Sequence, residues 1–354
     1  MGVVIIFVDG IGLAPAGETN PLSAGTAFLR GIVPEPGLTE ELFSGGTGHW
    51  TSRWLGPGAH KAADRLEGTG GAENTAGSEA AVPVHVTRLD ACLGVKGLPQ
   101  SATGQTTLFT GVNAPQRLGR HLSGFPTPTL LRILAQDSLF RRAAEAGRTV
   151  TFANPFPQGY LAAVATRRRR HATTTAAVLA AGVPLRTFRD LAAGRAVSHD
   201  LTGEAARARG FRAAVSTPEL SARRLAALAQ EHDLVLFEYF LTDRAGHAQD
   251  HEEAVLHLDR LGRFVAALLQ ELSLQQHTVF IVSDHGNLED LSVSTHTRNP
   301  VPAVAIGARA SVAERMESLL DVAPAVLTAL NGPNGARDAG GLVGIGAERI
   351  EAGG

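Results

Sequence analysis

Apolar residues along this chain fall into two interleaved patterns. Short, nearly unbroken runs occur at Val3 to Val8, Thr149 to Ala153, Leu234 to Phe237, Val279 to Ser283 and Val301 to Ile306. Runs of this length without polar alternation suit strands buried on both faces, as in a mainly parallel sheet covered by helices. Between them the spacing changes. Val255, Leu258, Leu261, Val265, Leu268 and Leu272 recur at threes and fours, which predicts an amphipathic helix over 252–272. Thr217, Pro218 and Glu219 place a cap residue before proline at the first helical position and predict a helix over 217–232. Strands alternating with helices predict an α/β fold, doubly wound, with helices on both faces of a mainly parallel central sheet.

Two stretches break the pattern. Residues 14–80 are rich in Gly, Pro, Thr and Ser and predict an irregular excursion near the mouth of a site, with Gly68 to Ala80 the most mobile part. Residues 155–215 carry the basic run Arg167 to Arg170 and a helical pattern near Thr173 to Ala181, and form a candidate small lid. Residues 308–354 predict a closing helix and strand with a Gly-rich tail. No internal repeat is visible, and the expected organisation is one domain over 1–354.

Composition narrows the class. With 44% hydrophobic and 19% charged residues in 354, the chain is an ordinary globular mixture that can bury a sizeable core. A formal net charge of −2 gives no electrostatic reason to expect nucleic acid or an anionic membrane as the main partner. A single cysteine, Cys92, excludes an intramolecular disulfide, fits a reducing compartment and is expected in the core. The Val3 to Val8 run is too short for a signal-peptide core, and no stretch reaches the roughly 20 apolar residues of a spanning helix. A soluble, cytoplasmic protein is expected.

The polar residues that follow the strand-like runs carry the chemistry. Asp9 follows the first run, Asp243 and His247 lie in "LTDRAGH", Asp284 and His285 in "IVSDHGN", and His296 in "STHTRNP". In open α/β sheets ligands bind beyond the carboxyl ends of strands, so Asp9, Asp243 and Asp284 converge on one rim. Such a cluster of negative charge is unfavourable unless cations neutralise it. Mixed carboxylate and imidazole donors suit Zn²⁺ or Mn²⁺ rather than Mg²⁺ or Ca²⁺. His247, four residues after Asp243, shares its direction if the chain is helical there, and Gly286 lets Asp284 and His285 both turn inward. His251 is a spare donor at best.

Ser101 opens "SATGQTTLFTG", which predicts a loop entering a helix whose unsatisfied N–H groups face an anion. Ser101 is then a nucleophile activated by direct metal coordination, or simply a helix cap; Thr103 is the rival nucleophile. Asn113, Arg117, Arg120 and Arg298 are candidate grips for phosphate oxygens, and the Arg167 to Arg170 run is a candidate for a second anionic group.

The pieces "VDGIG", "SATGQ", "TDRAGH", "SDHGNLED" and "HTRNPVP", in this order, resemble the alkaline phosphatase superfamily, specifically its metalloenzyme branch of cofactor-independent phosphoglycerate mutases and phosphopentomutases. The resemblance implies two divalent metals. One would take Asp9, Asp284, His285 and the Ser101 oxygen, the other Asp243, His247 and His296. Ser101 would attack phosphorus in line and form a phosphoserine intermediate.

Two departures matter. Gln105 stands where those mutases have histidine, and "DSLFRRAAEAGRTVTFAN" resumes the core soon after Ser101, leaving no room for a full cap domain. A mutase must shield its phosphoenzyme from water, so a reduced lid favours hydrolysis. The expected function is a phosphoesterase acting on a small phosphorylated substrate, a monoester or diester. The alternatives are a phosphomutase of the phosphoglycerate or phosphopentose type, or a metal-stabilised phosphate-ester binding protein without turnover. Sulfate-ester chemistry is disfavoured because Ser101 lacks the Cys/Ser-x-Pro-x-Arg context of sulfatases. The natural substrate, Mn²⁺ against Zn²⁺ and oligomeric state are open at this stage.

Overall fold

The computed structural model describes residues 1–24, 50–54, 82–166, 168–211 and 213–332. Most of the expected 14–80 excursion, including Gly68 to Ala80, lies outside the described residues, as do Arg167 and the Gly-rich tail beyond Gly332.

The strands are β1 (Gly2–Val8), β2 (Trp50–Trp54), β3 (Val82–Leu89), β4 (Val150–Phe152), β5 (Pro155–Phe156), β6 (Arg186–Thr187), β7 (Leu234–Tyr239), β8 (His277–Val282) and β9 (Val301–Gly307). Seven of them form one sheet in the order β2-β3-β9-β8-β1-β7-β4, and β5 pairs with β6 separately. β1 lies at the centre of a parallel set, with Ile5 opposite Leu236 of β7 on one side and Phe280 of β8 on the other. β4 extends this set beyond β7. β9 runs antiparallel to both β8 and β3, and β2 antiparallel to β3. The connection from residue 283 to 300 contains no helix, and without a crossover two neighbouring strands can only pair antiparallel.

The reversed β9 has a consequence for the site. Its amino end, and the carboxyl end of β3, lie on the same rim as the carboxyl ends of β1, β7 and β8. Segments that follow β1, β3, β7 and β8, and the segment that precedes β9, therefore meet there.

Successive β1 side chains go to opposite faces of the sheet, and both faces are dry. Val4, Ile6 and Val8 join one core with Leu225, Leu258, Leu261 and Phe264 of the Pro218–Glu231 and His251–Glu271 helices. Val3, Ile5 and Phe7 join the other with Phe109, Phe140 and Val326 of the Ser101–Thr110, Leu139–Glu145 and Val322–Asn331 helices. Burying each such side chain stabilises by about 1.5–3 kcal/mol, which explains the unbroken apolar runs. The Thr217 hydroxyl accepts from the Leu220 N–H and so caps the 218–231 helix as its sequence predicts. On the 251–271 helix the buried stripe starts at Ala254, while Val255 is exposed. Cys92 is half-buried rather than in the core, its thiol 3.8 Å from the Arg298 carbonyl oxygen.

Residues 155–215 hold the β5–β6 pair and the short helices Tyr160–Ala165, Thr173–Leu179, Phe188–Ala192 and Glu204–Ala208. Ala177 and Val178 enter one core and Val197 and Leu201 the other, so the segment is woven into the main body. No described helix is long and apolar enough to cross a membrane.

Candidate metal centre and cavity

Each chemical residue sits where a buried element delivers it. Asp9 leaves β1 directly, and Gly10 behind it adopts φ +74°, where any Cβ would come within 2.7 Å of the Asp243 carboxylate. Asp243 and His247 share one face of the Leu241–Ala248 helix that follows β7, as their spacing predicts. Ser101 is the first residue of its helix, and the N-cap is Gln100, so the serine is not the cap. That helix is held against the end of β8: a Cβ on Gly104 would meet the Asp284 carbonyl oxygen at 2.8 Å. Phe7 meets Phe109 edge-on at 5.6 Å and locks the same helix to β1. Thr103 is fully buried and does not line the cavity; its hydroxyl donates to the Gln100 carbonyl and accepts from the Leu122 N–H.

The seven residues Asp9, Ser101, Asp243, His247, Asp284, His285 and His296 are brought together. Ser101 Oγ lies 3.0 Å from His285 Nε2. That nitrogen is 3.3 Å from Asp9 Oδ1 and 3.5 Å from Asp284 Oδ2. On the other side, Asp243 is 3.4 Å from His247 Nε2 and 3.6 Å from His296 Nε2. The donor atoms of Asp243, His247 and His296 all lie within 4.8 Å of one another, and so do those of Asp9, Asp243 and His285. Asp243 thus belongs to both groups and stands between them. The division by resemblance put it in one only.

The protons in this cluster do not add up without cations. His296 Nδ1 faces the Pro99 carbonyl oxygen and His247 Nδ1 the Ser294 carbonyl oxygen, each at 2.8 Å, so each Nδ1 carries the proton. Both Nε2 atoms are then left with lone pairs, yet they lie 3.1 Å apart beside a carboxylate. Asp9 Oδ1 and both oxygens of Asp284 are buried and make no hydrogen bond among the described residues. Burial first, and then the charge of Asp9, holds Asp284 well above the usual carboxylate range. Burial works to lower His285, but Asp284 and Asp9 outweigh it and push it up to about 10. His296 goes the other way, to about 4, through burial and the positive charge of His285. Buried carboxylates crowded together with imidazole lone pairs are what divalent cations neutralise, so this donor set fits them.

A cavity of about 750 Å³ opens above the cluster. Ser101, Asp9 and Asp243 lie on its floor, and Arg168, Arg169, Arg170 and Arg244 stand in its walls. Asn113, Arg117, Arg120 and Arg298 do not line it. The Asn113 side chain accepts from the Gln116 N–H and donates to the Leu93 carbonyl, and the three arginines are exposed elsewhere. His251 is exposed at the start of its helix.

Several contributors lie outside the candidate residues drawn from the sequence. Asn287 donates to Asp243 Oδ1 at 2.7 Å and orients it. Glu289 is fully buried and accepts from the Gly12 and Asn287 N–H groups at 2.9 and 2.8 Å, from Asn299 Nδ2 at 3.0 Å and from the Thr297 hydroxyl. It thereby ties the segments after β1, after β8 and before β9. Glu238 on β7 faces the cavity, and burial, then the charge of Asp9, pushes its carboxyl up to about 8 against the Thr174 hydroxyl. Its signal was a carboxylate inside the apolar run "LVLFEYF".

Residues 204–334 match the family described as the Metalloenzyme superfamily. Over 126 residues the chain is 26% identical to the 2,3-bisphosphoglycerate-independent phosphoglycerate mutase of Cereibacter sphaeroides, and over 134 residues it is 31% identical to that of Pseudomonas fluorescens. These matches cover 34% and 36% of this chain, and the chain spans only about a quarter of the length of these relatives. Among solved structures it is similar to the alkaline phosphatase of the Antarctic bacterium TAB5, with TM-score 0.47 and 10% identity over 93% of this chain and 97% of that one. It is also similar to the Leishmania mexicana phosphoglycerate mutase, with TM-score 0.33 and 14% identity over 55% of this chain and 37% of that one. The segment 204–334, which holds Asp243, His247, Asp284, His285 and His296, is thus the part of the chain that is similar to the Metalloenzyme superfamily and to these mutases.

Proposed function

We propose that this protein is a two-metal phosphoryl-transfer enzyme that hydrolyses a small phosphate ester through Ser101. The observation that carries the reading is the place of the Ser101 hydroxyl. It opens to the cavity and touches His285, within a close-set group of buried carboxylates and imidazoles. Two divalent cations, Mn²⁺ or Zn²⁺, would be held by Asp9, Asp284, His285 and Ser101 and by Asp243, His247 and His296, with Asp243 reaching toward both. Bound there, they would neutralise the phosphate, favour the alkoxide of Ser101 and stabilise charge on the leaving oxygen.

The chain's own residues supply the rest. Ser101 Oγ forms a bond to phosphorus as the bond to the ester oxygen breaks; the alcohol leaves with a proton from water, and a second water later cleaves phosphoserine. Thr103, fully buried and off the cavity lining, is disfavoured as nucleophile. Hydrolysis is favoured over mutase action because residues 155–215 supply only short elements around an open cavity. The names of the curated relatives support a phosphomutase as the second reading.

The test is turnover of an aryl phosphate by Mn²⁺- or Zn²⁺-loaded protein, with mass analysis of acid-quenched samples. Wild type is expected to release phosphate and to carry a phosphoryl group on Ser101, and Ser101→Ala to do neither. Full activity in Ser101→Ala would overturn the reading. Isomerised product without free phosphate would favour the mutase, and tight ester binding without any phosphoserine would favour a non-catalytic binder.

A further inference from the structure

The cavity is wider than a phosphate needs, and its lining is unevenly charged. At about 750 Å³ it leaves room beyond Ser101 for the organic part of an ester. Arg168, Arg169, Arg170 and Arg244 make its walls basic. Against them stands one carboxylate apart from the metal-binding cluster, that of Glu238.

Glu238 is built into place. It lies on β7, where its backbone N–H donates to Asn154 Oδ1 at 2.9 Å and its carbonyl accepts from Asn154 Nδ2 at 2.8 Å. Its Oε1 accepts from the Thr174 hydroxyl at 2.9 Å, and that hydroxyl also approaches Gln105 Oε1 at 3.4 Å. Gln105 in turn reaches Asp9 Oδ2 at 3.5 Å. The Thr174 hydroxyl and the strand β7 backbone thus fix Glu238 beside Gln105, which neighbours Asp9 on the floor of the cavity. No ion pair to Glu238 occurs among the described residues, although four arginines line the same space. A carboxyl group held in this way, with acceptor capacity turned to the open cavity, offers that capacity to a donor on the ligand.

We propose that Glu238 is the specificity-determining residue of this site, and that it accepts a hydrogen bond from a hydroxyl group on the organic part of the phosphate ester. The proposal rests on the phosphoryl-transfer reading for the position of the phosphate. A neutral hydroxyl suits the site better than an ammonium, because the four arginines of the walls outweigh whatever negative charge Glu238 carries. The substrate class is therefore a small hydroxylated alkyl phosphate rather than an aryl, plain alkyl or aminoalkyl one. Sites that hydrogen-bond a substrate hydroxyl discriminate strongly against analogues without it, since their polar group is then left unpaired.

The test is binding, so that it does not depend on turnover. Titration calorimetry on the Mn²⁺-loaded protein compares 3,4-dihydroxybutylphosphonate, butylphosphonate and 4-aminobutylphosphonate, in which carbon replaces the bridging oxygen. Wild type is expected to bind the diol at least about tenfold more tightly than the other two, the range of a hydrogen bond to a charged group. Glu238→Leu, which removes both acceptor oxygens, is expected to bring diol and butyl affinities within about threefold. Glu238→Gln, which keeps one oxygen without the charge, should fall between them and serves if the leucine variant does not fold. Equal preference in wild type and variants, or tightest binding of the amine, would overturn the proposal. A diol preference that depends on Glu238 without any release of phosphate from 2,3-dihydroxypropyl phosphate would sink the hydrolase reading and leave Glu238 in place; hydrolysis without the preference would do the reverse.

Discussion

The imidazole rings of His285 and His296 lie stacked, with centroids 3.7 Å apart and planes 15° from parallel. One ring belongs to the group beside Ser101 and the other to the group around Asp243, so the two halves share a wall as well as a carboxylate. His296→Ala removes a donor from one half and the packing surface from the other. Metal content after exhaustive dialysis is expected to fall from two ions per chain to one or fewer. Retention of two would separate the halves.

Cations that bind the folded cluster and not the unfolded chain stabilise by mass action. At a hundredfold excess over the dissociation constant the gain is about 2.7 kcal/mol, or a rise of about 4 °C in the melting midpoint. Thermal scans with and without Mn²⁺ or Zn²⁺ should show this rise, and Asp284→Asn should show less than half of it. An unchanged midpoint at saturating metal would count against the cluster as a cation site.

Glu289→Ala leaves the N–H groups of Gly12 and Asn287 and the side chains of Thr297 and Asn299 without their acceptor. With several buried donors orphaned at once, the loss should reach about 3 kcal/mol or more. Urea unfolding would show it as a lower midpoint at unchanged slope. A loss under about 1 kcal/mol would mean that water replaces the carboxylate.

Gly10→Ala places a Cβ at φ +74° against Asp243. The left-handed backbone alone costs roughly 1–2 kcal/mol, and the close approach must also displace the shared carboxylate. Metal affinity should therefore fall along with stability, both readable from calorimetry on the same sample. Lost stability with intact affinity would place the strain elsewhere.

Acid sensitivity has a source away from the metal cluster. Burial works to raise the Asp200 carboxyl, but the Ala205 N–H, the Ser198 hydroxyl and the Gly203 N–H outweigh it and hold the group below its ordinary value. Its folded value lies below its unfolded one, so its stabilisation is present above the unfolded value, near pH 4, and is lost as pH falls through the folded value. Metal-free wild type should therefore be more stable than Asp200→Asn at neutral pH, with the gap closing below about pH 4. A gap that widened in acid would reverse the sign.

The donor residues were legible because each follows or precedes a buried strand, and strand ends are where an α/β sheet exposes side chains. The direction of β9 was not legible, since an apolar run has the same composition whichever way it points. The clue was the lack of a helical pattern between residues 283 and 300. Glu238 went unread because the run was closed at Phe237, whereas the pleat continues through Tyr239 and turns the glutamate to the cavity. Asn113, Arg117, Arg120 and Arg298 were chosen for nearness along the chain, which does not fix the direction of a side chain. The capping role of Asn113 follows instead from its place before Ala114 and Pro115.

Asp284, His285 and His296 all ride on the single connection between β8 and β9, two neighbours that pair side by side. Closing that one loop brings three of the seven donors together from one short stretch of chain, at little entropic expense. Asp9 reaches the same rim only through the pairing of β1 with β8, strands far apart in the sequence, so the fourth donor needs a long closure where the first three need a short one.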